Sequence, residues 1–138
     1  NLNKANLSEA DFMKANLSEV NLREANLSKA NLRFTQLFKA NLTKADLSLA
    51  VVKKAQLQNT DMTAVRGLGS DFTEANLTGA CLHNWNIDLK TSFDSVECDY
   101  VYLERRYGFE FNNSYFSRMG LQNFLNILKN NKINLLMK

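Results

Sequence analysis

The sequence predicts an all-β solenoid, a chain wound in stacked coils, closed at its C-terminal end by a helical cap. Three observations carry this. Large apolar residues recur every five positions, a small residue stands two positions before each of them, and the remaining positions are mostly polar. A period of five fits neither a helix, whose apolar residues return every 3.6 positions, nor a strand, whose faces alternate every two. A chain that turns a corner once per unit can instead point the large and the small residue inward and leave the others in water. Coils stacked in this way pair backbone to backbone at the ~4.8 Å spacing of any sheet.

The first element runs from Leu2 to Ile87. Of its 18 fifth positions, 17 are large and apolar; Gly67 is the exception, and the phase survives it. The slot two residues earlier, from Ala5 to Trp85, holds Ala at 11 of 17 positions and Val, Thr or Ser at five more. Asn or Asp stands directly before the large residue at 13 of 18 positions, where a short side chain can hydrogen-bond nearby backbone and tolerate a tight turn. The unit is therefore A-[ND]-L-x-x. Gly67 leaves one inward slot empty, so that side is expected to be weak, with Leu68 free to swing into it. At Trp85 an indole occupies the small slot, and from Phe93 the period returns one residue out of step through Cys98 and Leu103. An insertion near Leu89 and Lys90 explains the slip.

The run Ala5-Asn6-Leu7-Ser8-Glu9-Ala10-Asp11-Phe12, with its continuation to about residue 87, resembles the pentapeptide-repeat proteins. What the resemblance implies is a right-handed quadrilateral β-helix, with four sides and about 20 residues to a coil, stacked about five coils high over residues 1–103. The charges offer a check on that register. Twenty residues apart, Lys4 meets Glu24 and Glu24 meets Lys44, while Glu9 meets Lys29, Glu19 meets Lys39 and Lys54 meets Glu74. Opposite charges on neighbouring strands stabilise them by ~0.2–1 kcal/mol per pair. The stretch from Cys81 to Ile87, followed by Phe93, Val96 and the run Cys98 to Leu103, is similar to the closing segment of many cyanobacterial pentapeptide-repeat proteins. The Pro usual after the paired Arg is missing, since Arg105-Arg106 leads into Tyr107-Gly108.

Two domains are expected: the β-helix over 1–103, irregular from about 85, and a capping segment over 104–138. A last coil exposes unpaired backbone and apolar side chains and needs covering. Leu121, Phe124, Leu125 and Leu128 follow i, i+3, i+4, i+7, which predicts an α-helix near 113–129 with Asn113 or Ser114 at its start. Together with Trp85 these four residues are the expected cap. The N-terminal end begins in mid-repeat at Asn1-Leu2 without a leader sequence, so the chain is expected to be a module of a larger protein, or a homo-oligomer joined through an end of the solenoid.

Composition excludes several functions. The 138 residues carry 45% hydrophobic and 22% charged side chains, which suits a folded domain, and no window approaches the ~18 apolar residues of a membrane span. Residues 1–103 hold 11 Lys and Arg against 12 Asp and Glu, and residues 104–138 hold 6 against 2. Nucleic-acid binders display a dense basic face and DNA mimics a dense acidic one, so the near-neutral body argues against both. Cys81 and Cys98 with one His are too few ligands for zinc and too few thiols for a disulfide framework, which points to reduced cysteines and a cytoplasmic protein.

No catalytic constellation is present. The sole histidine, His83, falls in an outward slot, and Gly67-Leu68-Gly69 lacks the spacing and Lys of a phosphate loop. The expectation is a protein without catalytic residues, metal, cofactor, nucleic acid or membrane. Apolar residues in outward slots are the informative departures: Phe34, Phe38, Leu49 and Val51 mark a protein-contact patch, although four-sided geometry spreads them over more than one side. The expected function is a structural or protein-interaction scaffold with an unidentified protein partner. The resemblance also permits gyrase protection by imitation of duplex DNA, a role that depends on a strongly negative rod.

Overall fold

The computed structural model describes residues 1–102, 115–116 and 126. Asn6 pairs with Asn26, Asp11 with Asn31, Asn16 with Gln36 and Asn21 with Asn41, all in parallel and all twenty residues apart. Each coil therefore has four walls. Residues 1–5, 6–10, 11–15 and 16–20 begin walls one to four, and coils one to four each take twenty residues. Coil five takes 81–101, because its bridges lengthen to twenty-one residues from Asp71–Ser92 onward. Five coils at ~4.8 Å make a rod roughly 25 Å long.

Every backbone N–H of a repeat has a place to go. In the unit that starts wall one, Leu2 donates to Asn21 O and Lys4 to Arg23 O in the coil above, while Ala5 closes a turn onto Leu2 O. One coil on, Asn26 N–H donates back to Ala5 O. The remaining donor, Asn3 N–H, bonds the side-chain Oδ1 of Asn1. Among the described residues, twelve Asn or Asp side chains that directly precede an inward residue make this bond to the residue two positions on. This accounts for the polar letter before each Leu. Asn41→Ala removes it where the dependent donor, Thr43 N–H, belongs to a buried residue. The expected loss is about 1 kcal/mol, the size of a lost helix cap, read as a lower urea midpoint; an unchanged midpoint would deny the bond its role.

The corners differ from expectation in one respect. The left-handed residue is not the Asn or Asp but the one three positions later: Lys4, Glu9, Lys14, Glu19 and their non-glycine successors have φ between 52° and 62°. Each lies third in a turn closed by an i to i+3 bond, such as Ala5 N to Leu2 O, and is the only turn residue with positive φ, which makes the turn type II. The reason is geometric. The Asn is held extended by its ladder bonds, so the chain reverses direction only after the inward Leu has passed.

From Leu22 onward the inward residues are buried and form one continuous core, against which Leu2, Leu7, Phe12 and Leu17 of coil one pack while partly exposed. Small slots filled by Thr or Ser satisfy their hydroxyls on backbone carbonyls, Thr35 on Phe12, Thr60 on Leu57 and Ser70 on Gly67. The slot at Gly67 is not open space. A side chain there would meet Ser70 Oγ at 3.0 Å, the Phe72 ring at 3.7 Å and Ile87 at 3.8 Å, so its neighbours already occupy the slot. Leu68 stays half-buried outside the core.

Above this point the core turns aromatic. Trp85, from wall one of coil five, stacks on Phe72 at 5.4 Å and on Phe93 at 5.8 Å, both from wall three, so its indole crosses the interior. Its ring N–H donates to Met62 O at 2.8 Å. The inserted residue lies where the period slips, in a turn built on Asp88: its Oδ1 accepts from the backbone of Gly69, Lys90 and Thr91 and from the Thr91 hydroxyl, leaving Leu89 exposed. Burial pushes the Asp88 carboxyl up, but these four donors outweigh it and hold the group below the ordinary aspartate value.

The last coil ends in strand β1, Val101–Tyr102, which pairs with Cys81 on one side. Strand β2, Tyr115–Phe116, adds antiparallel on the other, Val101 opposite Phe116 and Tyr102 opposite Tyr115. These two residues fall inside the stretch expected to be helix. Their aromatic types suit a strand, and pairing occupies backbone groups that the last coil otherwise leaves open. Apart from these and the exposed Asn126, the expected helix and its residues Leu121, Phe124, Leu125 and Leu128 lie outside the described residues.

Candidate interaction surface

The interior is filled with side chains, which leaves the outer walls and the ends of the rod as contact surfaces of the described residues. Of each unit's outward positions the left-handed corner residue projects most freely. Phe34 occupies the corner between walls three and four and is 45% exposed; Phe38 lies on wall four at 39%. Leu49 occupies the corner between walls two and three at 54%, where its Cδ2 lies against Gly69 of the next coil. Val51 begins wall three and is half-buried. Phe34, Leu49 and Val51 therefore lie on or at the corners of wall three, while Phe38 lies near the far corner of wall four, and the four do not form one cluster. Met13 on wall three and Leu89 at the inserted turn are exposed apolar residues that the period had not singled out.

Each exposed ring carries a lysine. Lys54 Nζ stands 5.4 Å from the centre of Phe34 and Lys39 Nζ 5.1 Å from that of Phe38, within the range of cation–π attraction. The charge ladders are only partly realised. Lys4–Glu24, Glu9–Lys29 and Lys54–Glu74 close at 3.7–3.9 Å, but Glu24 turns to Arg23 and not to Lys44, and Lys39 turns to Phe38 and not to Glu19.

Grouped by wall, the charges separate. On walls three and four, coils one to three carry Lys14, Arg33, Lys39, Lys53 and Lys54 against Asp11 and Glu19. Coils four and five of the same walls carry Asp71, Glu74, Asp94, Glu97 and Asp99 and no Lys or Arg. Across the seam Lys53 reaches Asp71 at 3.4 Å and Lys54 reaches Glu74. Burial pushes the Asp71 carboxyl up, yet its bonds from Thr73 and the charge of Lys53 bring it below the usual aspartate range. Walls one and two show no such separation, since every coil there holds both signs.

Among the described residues no group of His, Cys, Asp and Glu is placed to hold a metal ion, and no helix is long and apolar enough to cross a membrane. Cys81 and Cys98 are buried and not joined in a disulfide. His83 is half-buried on wall one. A shallow polar depression of about 260 Å³ on wall four is lined by Asn76, Thr78, Glu97, Cys98 and Asp99.

A family model for pentapeptide repeats matches this chain in eight copies, over residues 1–28, 15–53 and 53–84. Among solved structures, the pentapeptide repeat protein Rfr23 from the cyanobacterium Cyanothece 51142 is 34% identical with a TM-score of 0.62, over 64% of this chain and 60% of that one. A pentapeptide repeat protein from the Arabidopsis thaliana thylakoid lumen is 27% identical with a TM-score of 0.57, over 74% of this chain and 69% of that one. A third, from Nostoc PCC 7120, is 26% identical with a TM-score of 0.54, over 67% and 84%. This chain thus spans about 60% of the length of the Cyanothece protein it matches. No curated protein matches it.

Proposed function

Because the chain belongs to the pentapeptide-repeat family, we propose that it works as a non-catalytic scaffold whose outer walls bind protein. The observation that carries this reading is the pair of exposed rings, Phe34 and Phe38, each set beneath a lysine at a corner the fold leaves free. Exposed aromatic side chains are enriched in protein contacts. A rigid wall also holds them in place before binding, which lowers the entropic cost of association.

Imitation of DNA fits the walls less well. A duplex mimic needs a continuous negative face, whereas Lys4, Lys29, Lys14 and Lys39 place a cation on each of the four walls of coils one and two. Two measurements test the scaffold together. Protein captured from the cell of origin by the wild type should be lost with Phe34→Asp/Phe38→Asp, and supercoiling by gyrase should be unaffected at micromolar protein. Capture that ignores both substitutions would remove the patch from the reading, and protection of gyrase would replace it.

A further inference from the structure

We infer that the corner between walls three and four, over coils one to three, binds an acidic segment of a partner protein that carries one large apolar side chain among its carboxylates. This rests on the scaffold reading and adds to it the chemistry of the partner. The corner holds six side chains in two adjoining files: Met13, Arg33 and Lys53 at the end of wall three, and Lys14, Phe34 and Lys54 at the turn itself. Each file rises one coil, ~4.8 Å, from residue to residue, so the six make a single block. The residues that open wall four beside it, Asn16, Gln36 and Gln56, are uncharged.

The other three corners do not repeat this. At the same positions of the same coils, the corner between walls one and two sets Lys4, Arg23 and Lys44 beside Glu24 and Asp46. That between walls two and three sets Lys29 beside Glu9 and Asp11, and that between walls four and one sets Lys39 beside Glu19 and Asp61. Only the corner between walls three and four is cationic without a carboxylate. Within its block, Lys53 and Lys54 are paired with Asp71 and Glu74 of coil four. Lys14 and Arg33 have no carboxylate partner among the described residues.

These two cations and the apolar residues between them define what fits. A partner carboxylate can accept from the Arg33 guanidinium, which now donates to Asn31 Oδ1 at 3.2 Å, and another from the Lys14 ammonium. Met13 is 48% and Phe34 45% exposed, so a ligand of carboxylates alone would leave their apolar surface in water. Single-stranded nucleic acid is the other polyanion to consider, and it calls for successive aromatic faces on which bases stack. This corner has one ring, with Lys54 Nζ 5.4 Å from its centre. Attraction between exposed charges is small and screened by salt, reaching about 30 Å at 0.01 M and about 3 Å at 1 M, so the contact forms at low salt and is lost at high salt.

Fluorescence anisotropy of labelled probes tests this on the whole chain. The first probe is a peptide with two acidic residues on each side of a leucine, the second has lysines in place of the acids, and the third is oligothymidylate. The wild type should bind the acidic peptide at low salt in preference to the other two. Lys14→Glu/Arg33→Glu should weaken that binding roughly tenfold and take up the lysine peptide instead, which also shows that the variant is folded. Lys14→Gln/Arg33→Gln, a milder change, should lose the acidic peptide as well and carries the test if the reversal unfolds the coil. Lys29→Glu/Lys44→Glu makes the same change of net charge on other corners and should leave binding as it was. The proposal is overturned if the acidic peptide does not bind at low salt, if the control pair weakens binding as much as the corner pair, or if oligothymidylate binds more tightly than the peptide. None of these results touches the capture experiment on Phe34 and Phe38, which decides the scaffold reading separately.

Discussion

Trp85→Ala is expected to cost about 3–5 kcal/mol of folding stability, the range for deleting a buried aromatic side chain. The indole is 6% exposed and crosses the interior from wall one to Phe72 and Phe93 on wall three. Removing it leaves a void where three rings had stacked, and no neighbouring chain can collapse into it because each wall is held by ladder bonds to the coil below. The hydrogen bond to Met62 O goes as well. Trp85→Phe separates the two losses: it keeps most of the apolar volume but not the donor, so it should recover the larger part of the stability. Guanidinium unfolding of the three proteins reads this directly. If Trp85→Ala unfolded at the wild-type midpoint, the ring would be a surface ornament and the packing described above would be wrong.

Gly67→Leu is the converse case. It restores the repeat at its one broken position, and on pattern alone it should stabilise the protein. The structure predicts destabilisation of about 1–3 kcal/mol or more, the cost of overpacking, because even the first carbon of the new side chain would come to 3.0 Å from Ser70 Oγ and 3.7 Å from the Phe72 ring. Backbone strain does not enter, since Gly67 has no positive φ. Combining Gly67→Leu with Phe72→Ala tests the cause. If the two side chains compete for one volume, the double variant should be more stable than the sum of the single losses allows; strict additivity would place the damage elsewhere.

These two positions show how far a linear pattern reaches. The period of five identified the inward residues, because burial in a coil depends only on a residue's place in its own unit. It could not show that the space missing at Gly67 is filled by a residue one wall away and another one coil away, since that is a sum of volumes and not a periodicity. The same limit explains the surface. Phe34, Phe38, Leu49 and Val51 stood out as apolar letters in polar slots, but the lysine over Phe34 and the separation of charge on two walls appear only when the chain is read in rows of twenty. Met13 was hidden because it sits next to Phe12 and reads as part of an apolar pair. The strand at Tyr115–Phe116 had no local signal to set against the helical spacing that follows, and its cause, the open backbone of the last coil, is remote in sequence.

The left-handed corners have a broader consequence. Among the described residues, sixteen other than Gly adopt them, and each non-glycine residue in that region gives up roughly 1–2 kcal/mol of conformational energy. Yet the corner residue touches little of the core, and its own N–H is already engaged with the coil above, as Lys4 is with Arg23 and Lys44 with Thr63. A corner can therefore change its side chain without disturbing either the packing or the ladder. The rod thus separates two inheritances that most folds entangle: inward letters constrained by volume, and four vertical files of corner letters open to drift, on which affinity for a neighbour could be rewritten one coil at a time while the architecture stood unaltered.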